Sequence, residues 1–363
     1  MESKIAISLL IIYIASGGVI YLIPLVQKYI QTSKIKKVDN LSKSNTDTLK
    51  GFLIVGIMFS HIVLRASYFH GNEVTNLGLK SILVFLGNLG TIGVAGFYVL
   101  SGYGNSISIN KCQNRHRVMM WFWRRVKKII VTFVFCYVTV ISTNFLLYGH
   151  TYAASKVVWD ICTLTIPSTT TWYLKIQMLL YVFTFLSMIS SMDKKTTGVC
   201  ITILCIVYAV VAKYMLHLQK YWWNTVFCYP LGYFVGMYKQ DIKTFLINNI
   251  KKSILLLVII GCGIYGIGII FPNQFIIQIF VYTIIGTIMI AMIQIVETEN
   301  SVLKMIGVIS FELYLIHIGL VTIIIPEYKL VVSQVMLFAI LSVGLSGIIY
   351  FLKQLLAKGL LIK

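Results

Sequence analysis

Residues 50–64 read KGFLIVGIMFSHIVL, an apolar run opened by a lysine and broken once by a histidine, His61. At about 100° per residue the steps from Lys50 to His61 make three turns plus about 20°, so the two side chains share one face of a helix. With a rise of about 1.5 Å per residue they stand roughly 16 Å apart along the axis, half the thickness of a bilayer core of about 30 Å. The run therefore predicts a membrane helix carrying a cation near the surface and an imidazole at mid-depth. An ionisable group in hydrocarbon is expensive; it marks a pathway or a reaction, or else a hydrogen bond to a neighbouring helix.

The rest of the chain has the same texture. Of its 363 residues 58% are hydrophobic and 12% charged, and the apolar residues come in runs near membrane length instead of amphipathic stripes. The fold class is all-α: a polytopic membrane helix bundle of about eleven transmembrane helices, near 5–28, 50–69, 82–104, 129–148, 172–192, 197–216, 222–238, 253–271, 274–296, 305–325 and 331–352. The first run is too long for a signal peptide and has no small-residue cleavage site, so it is expected to stay as a helix. A net charge of +20 suggests nucleic acid in a soluble protein; here the cations sit in short clusters between apolar runs, as loop charge does, and no nucleic-acid partner is expected. With the amino terminus outside and the carboxyl terminus inside, 23 of the 31 lysines and arginines fall on the inner side and 8 on the outer, which supports both the count and the orientation. The seven cysteines form no CxxC pair and no metal-ligand spacing with the histidines, so no metal is expected. The loops are too short for a separate core, and 1–363 reads as one membrane domain, with 1–49 an extra helix and basic loop before a bundle over 50–352.

Four further stretches carry polar chemistry. FYVLSGYG, residues 97–104, places Ser101 and Gly102 at the inner end of a span, where small residues serve either helix packing or the approach of a ligand to the backbone. WFWRRVKKI, residues 121–129, is a basic anchor or, through Arg124, Arg125 and Lys128, a phosphate site level with Lys50. Trp172 and Tyr173 open a span from the outer side, in an aromatic belt or as a platform on which sugar rings stack. GVISFELYLIHIGL, residues 307–320, spaces Ser310, Tyr314 and His317 by four and three, one polar stripe. Along a continuous helix from Met305, His317 lies roughly 18 Å deep, close to the depth of His61. Glu312 falls off that stripe and needs its own partner.

Taken in order, these stretches resemble the acyltransferase 3 family of integral membrane proteins. The resemblance rests on Lys50 to His61, on an FFxxSGY-like segment (Phe97 to Tyr103), on an RRxxR-like segment (Arg124, Arg125, Lys128), on WYL (Trp172 to Leu174) and on SFxxYLxH (Ser310 to His317), spanning about 50–352. Where the family has arginine this chain has Lys50, no proline follows the basic segment, the helix 5–28 is extra, and no fused extracellular domain is present. The resemblance implies an O-acetyltransferase that moves acetyl from cytoplasmic acetyl-CoA to a hydroxyl of a cell-surface or lipid-linked glycan, in a bacterial cytoplasmic membrane. On that reading His61 is the catalytic base; Tyr314 or His317 orients the acceptor or the thioester oxygen. Lys50, Arg124, Arg125 and Lys128, with Ser101 and Gly102, hold the donor, and Trp172 and Tyr173 meet the sugar. A neutral imidazole suits the removal of a hydroxyl proton; direct attack to give an acyl-imidazole is the other route. A polysaccharide exporter without acyl transfer is the alternative from another class, and oligomeric state is not encoded in these motifs.

Overall fold

A computed structural model describes residues 41–67, 77–110, 112–167, 171–248, 250–295, 300–325 and 332–359. Its elements are helices: α1 Lys43–Ser67, α2 Leu77–Ile109, α3 Arg115–Tyr148, α4 Ala154–Cys162, α5 Trp172–Ser190, α6 Lys194–Val210, α7 Cys228–Met237, α8 Lys239–Asn248, α9 Ile250–Ile270, α10 Phe275–Ile295, α11 Ser301–Val308, α12 Ser310–Ile324 and α13 Val332–Gly359. Seven are long and apolar enough to cross a membrane, or eight spans if α11 and α12 together make one. The predicted helix 5–28 lies outside the described residues. The outward faces are greasy: Leu255, Leu256 and Ile259 on α9 and Ile340, Ile348 and Phe351 on α13 are exposed, as a lipid-facing surface requires. The centre is aromatic, with Tyr98, Phe133, Tyr137, Tyr229 and Tyr233 fully buried.

Local signals set several boundaries. Helix α3 starts where the Asn114 side chain accepts from the Arg117 N–H, 2.9 Å away, and stops at Gly149, whose φ of 69° favours glycine. Its 34 residues rise about 51 Å, more than a bilayer core, so the basic opening turns extend past the hydrocarbon. Asp193 caps α6 by accepting from the Thr196 N–H, and that bond holds its carboxyl below the usual carboxylate range. Helix α1 begins at Lys43, two turns before Lys50, which is therefore an interior residue of the helix and not its first.

Two expectations about spans change. The stretch 222–238 is not one span: its helix starts only at Cys228, and ten residues rise about 15 Å, half a core. This half-length helix lies against α2 backbone to backbone. A Cβ on Gly102 would fall 2.0 Å from the Tyr229 carbonyl oxygen, and one on Gly232 would fall 2.0 Å from that of Val99. The stretch 305–325 is broken at Ile309, where α11 and α12 meet at 75°. The cause is again glycine: a Cβ on Gly307 would lie 1.7 Å from the Asp47 oxygen, and one on Gly51 1.9 Å from the Leu303 oxygen, so α11 is seated on the first turns of α1. The depth of His317 consequently cannot be measured along a straight axis from Met305.

At the end of the bundle remote from Lys50, the connection between α3 and α5 folds inward. Asp160 of α4 is fully buried, 3.1 Å from the Tyr137 hydroxyl that donates to it and 2.5 Å from Lys156 Nζ. Ile166, also fully buried, packs over Gly319 of α12.

Candidate active site

Six helical segments line one cavity of about 640 Å³, all but the α11–α12 break by a repeat of three or four residues. Helix α1 contributes Lys43, Asp47, Lys50 and Ile57; α5 contributes Tyr173, Gln177 and Tyr181; α13 contributes Tyr350, Lys353, Gln354 and Ala357. Helix α2 adds Phe97, Ser101 and Gly104, α3 adds Arg125 and Lys128, and the α11–α12 break adds Gly307, Ser310, Glu312 and Tyr314. Exposed Lys43, Gln354 and Ala357 form the mouth, and buried Tyr173 and Tyr314 close the other end.

The mouth is electropositive. Lys43, Lys50, Arg125, Lys128 and Lys353 line it against two carboxylates, Asp47 and Glu312. Lys50 Nζ lies 2.8 Å from Asp47 Oδ1, and Lys353 Nζ lies 2.5 Å from Glu312 Oε1. Glu312 thus has the partner that its depth demands, supplied by the last helix. Arg125 rests on the ring faces of Trp121 and Tyr181, 6.0 and 5.9 Å from their centroids, with Nη2 3.4 Å from Ser108 Oγ. Deeper in, Ser101 Oγ accepts from Gln177 Nε2 at 2.9 Å, and Gln177 Oε1 is buried without a partner.

The closed end is a stack of rings. Tyr173 packs on Tyr98 with centroids 5.1 Å apart and meets Tyr314 edge-on at 4.8 Å. Tyr314 leads to His317 at 5.6 Å, and His317 meets His61 at 5.2 Å with planes inclined by 65°. The two histidines do come together, one layer behind the cavity wall: Ile57 stands one turn before His61, and Tyr314 one turn before His317. His317 is fully buried, with Nδ1 2.8 Å from the Leu313 carbonyl oxygen and Nε2 without a partner. A carbonyl only accepts, so Nδ1 carries the proton and the neutral ring keeps its Nε2 lone pair free.

Not every expected residue reaches this place. Lys50, Arg125, Lys128, Ser101, Tyr173 and Tyr314 line the cavity. Arg124 does not: it is exposed, and its Nε donates to the Met120 carbonyl at 3.2 Å. Gly102 faces α7, where it permits the contact described above. Trp172 lies beyond the closed end, its ring 6.5 Å from Tyr173 and 5.2 Å from Tyr221. Lys353, Gln177 and Tyr181 line the cavity without having been expected. Their only sequence signal is spacing along helices whose facing partners come from distant parts of the chain.

The sequence profile of an acyltransferase domain family, acyltransferase 3, matches residues 44–351. No curated protein and no solved structure matches the chain.

Proposed function

The chain belongs to the acyltransferase 3 family and is a multi-pass membrane acyltransferase, and from that premise we propose that it moves acetyl from cytoplasmic acetyl-CoA to a hydroxyl of a cell-surface or lipid-linked glycan. The carrying observation is the cavity itself, cationic at its mouth and closing on rings in front of the paired His61 and His317. The basic mouth faces the cytoplasm of a bacterial cell, and donor phosphates settle among Lys50, Arg125 and Lys128, whose charges suit them. The pantetheine arm follows the α1 face past Ser101 and Gln177, and the thioester stops at Tyr173 and Tyr314. The acceptor sugar arrives from the opposite side, where Trp172 and Tyr173 offer ring faces.

His61 takes the proton of the acceptor hydroxyl as the oxygen attacks the thioester carbonyl. His317, held as the Nδ1–H tautomer by the Leu313 carbonyl, packs edge-on against the His61 ring with centroids 5.2 Å apart and limits how the base can turn. Tyr314 donates to the developing oxyanion. Collapse of the tetrahedral intermediate breaks the carbon–sulfur bond, and the thiolate leaves with the proton held on His61. The test is proton NMR of surface polysaccharide from cells with and without the gene. O-acetyl signals should vanish with the polymer intact; lost polymer, or unchanged acetylation, would refute the reading.

A further inference from the structure

The last helix brings into the cavity a lysine that membrane topology alone does not explain. Lys353 stands about two turns short of the end of α13, and its side chain is only 14% exposed. A lysine serving only as a loop anchor extends its ammonium to water. This one is directed inward, with Nζ against Glu312 and the Thr132 hydroxyl. Thr132 is itself tied to the neighbouring cationic turn, its hydroxyl donating to the Lys128 carbonyl at 2.8 Å.

A buried ion pair is a poor device for packing α13 on α12, because the desolvation of both charges offsets most of their attraction, and apolar residues of similar size hold helices together as well or better. The surroundings weaken this pair further as a purely structural bond. Lys128 lies within electrostatic reach of both Glu312 and Lys353, so a second cation stands near the same carboxylate. If an anion with several phosphates enters, Lys353 can exchange Glu312 for phosphate while Lys128 remains to neutralise the carboxylate. The mouth already provides the route, since Gln354 and Ala357 of the same helix line it.

Resting on the reading that the cavity takes a nucleotide-bearing acyl thioester, we infer that Lys353 is a phosphate ligand of the donor and that Glu312 is the counter-ion it leaves when the donor binds. This assigns opposite signs to the two partners. Loss of Lys353 removes a ligand and weakens donor binding; loss of the Glu312 charge removes a competitor and strengthens it. A packing role assigns them the same sign.

The experiment measures KM for acetyl-CoA and for acetyl-pantetheine, which has the thioester without the nucleotide phosphates, in purified wild type, Lys353→Met, Glu312→Gln, the double variant Lys353→Met with Glu312→Met, and Arg125→Gln. Lys353→Met should raise KM for acetyl-CoA about tenfold or more, the usual worth of a hydrogen bond to a charged group, and leave that for acetyl-pantetheine within about twofold. Glu312→Gln should lower KM for acetyl-CoA. The double variant, with neither charge left buried, should fold and keep the raised value, which guards against misfolding of the single variants. Equal KM values for acetyl-CoA in wild type and the double variant would overturn the inference, as would a shift of both single variants in the same direction. If Arg125→Gln raises KM while Lys353→Met does not, the inference fails alone; if neither changes KM, the donor reading of the cavity fails with it.

Discussion

The two ends of the cavity are made of different material. At the mouth, five cations on long flexible stems come from three helices and share two carboxylates. At the closed end, rigid rings touch in sequence, Tyr173 to Tyr314 to His317 to His61, each with one place to be. Charges near water are screened and can substitute for one another, so the mouth is redundant in side chains. A proton acceptor must stand within hydrogen-bond reach of one hydroxyl, and no neighbour can take over that position. Substitutions at the mouth should therefore change how well the donor binds, and those at the closed end how fast it reacts.

The largest expected effect is at the closed end. His61→Asn keeps a side chain able to hydrogen-bond but unable to accept a proton at neutral pH. It should lower kcat by about 10² to 10⁴, the range typical of general-base loss, with KM for acetyl-CoA within about twofold. A kcat close to wild type would erase the contrast between the two ends and move the base to His317, whose Nε2 lone pair is free.

The backbone beneath the mouth is less tolerant than its side chains. Gly51 and Gly307 let α11 rest directly on α1, and a methyl group at Gly51 would stand 1.9 Å from the Leu303 oxygen. Gly51→Ala should destabilise the protein by about 1–3 kcal/mol, as overpacking does, and raise KM for the donor by displacing the wall that carries Ser310 and Glu312. Melting temperature and KM followed together in detergent check this; an unchanged melting temperature would show that α11 can move away at no cost, and that the mouth is soft in its backbone too.

The same contrast explains what the sequence discloses. Periodicity within one helix puts Lys50 in line with His61 and Ser310 in line with Tyr314 and His317, and the helix-forming runs are plain from hydropathy. The break at Ile309 is hidden because it arises from Gly307 meeting Asp47, residues far apart in the chain. Glu312, two residues from Ser310 and two from Tyr314 on the same helix, falls off their stripe by periodicity, yet all three line the cavity. Lys353 is concealed for another reason: a lysine at the inner end of a span already satisfies the positive-inside rule, and nothing local reveals that it turns inward. Gly102 has the signature of a close approach, and there is one, to the Tyr229 carbonyl of another helix.

The smallest expected effect separates two adjacent arginines. Residues next to each other on a helix point about 100° apart, and here that angle separates Arg124 from the cavity that Arg125 lines. Arg125 lines it, held between Trp121 and Tyr181. Arg124 is exposed and folds back on Met120. Arg125→Gln should raise KM for acetyl-CoA about tenfold, the scale of one hydrogen bond to a charged group. Arg124→Gln should leave kcat and KM within about twofold, since an exposed charge outside the cavity acts through screened, long-range attraction. The comparison is made at low and at physiological salt. A small Arg124 effect that disappears with salt fits a general field at the mouth, whereas an equal, salt-resistant loss from both arginines would mean that α3 turns when the donor binds and that the redundancy of the mouth extends to its outer face.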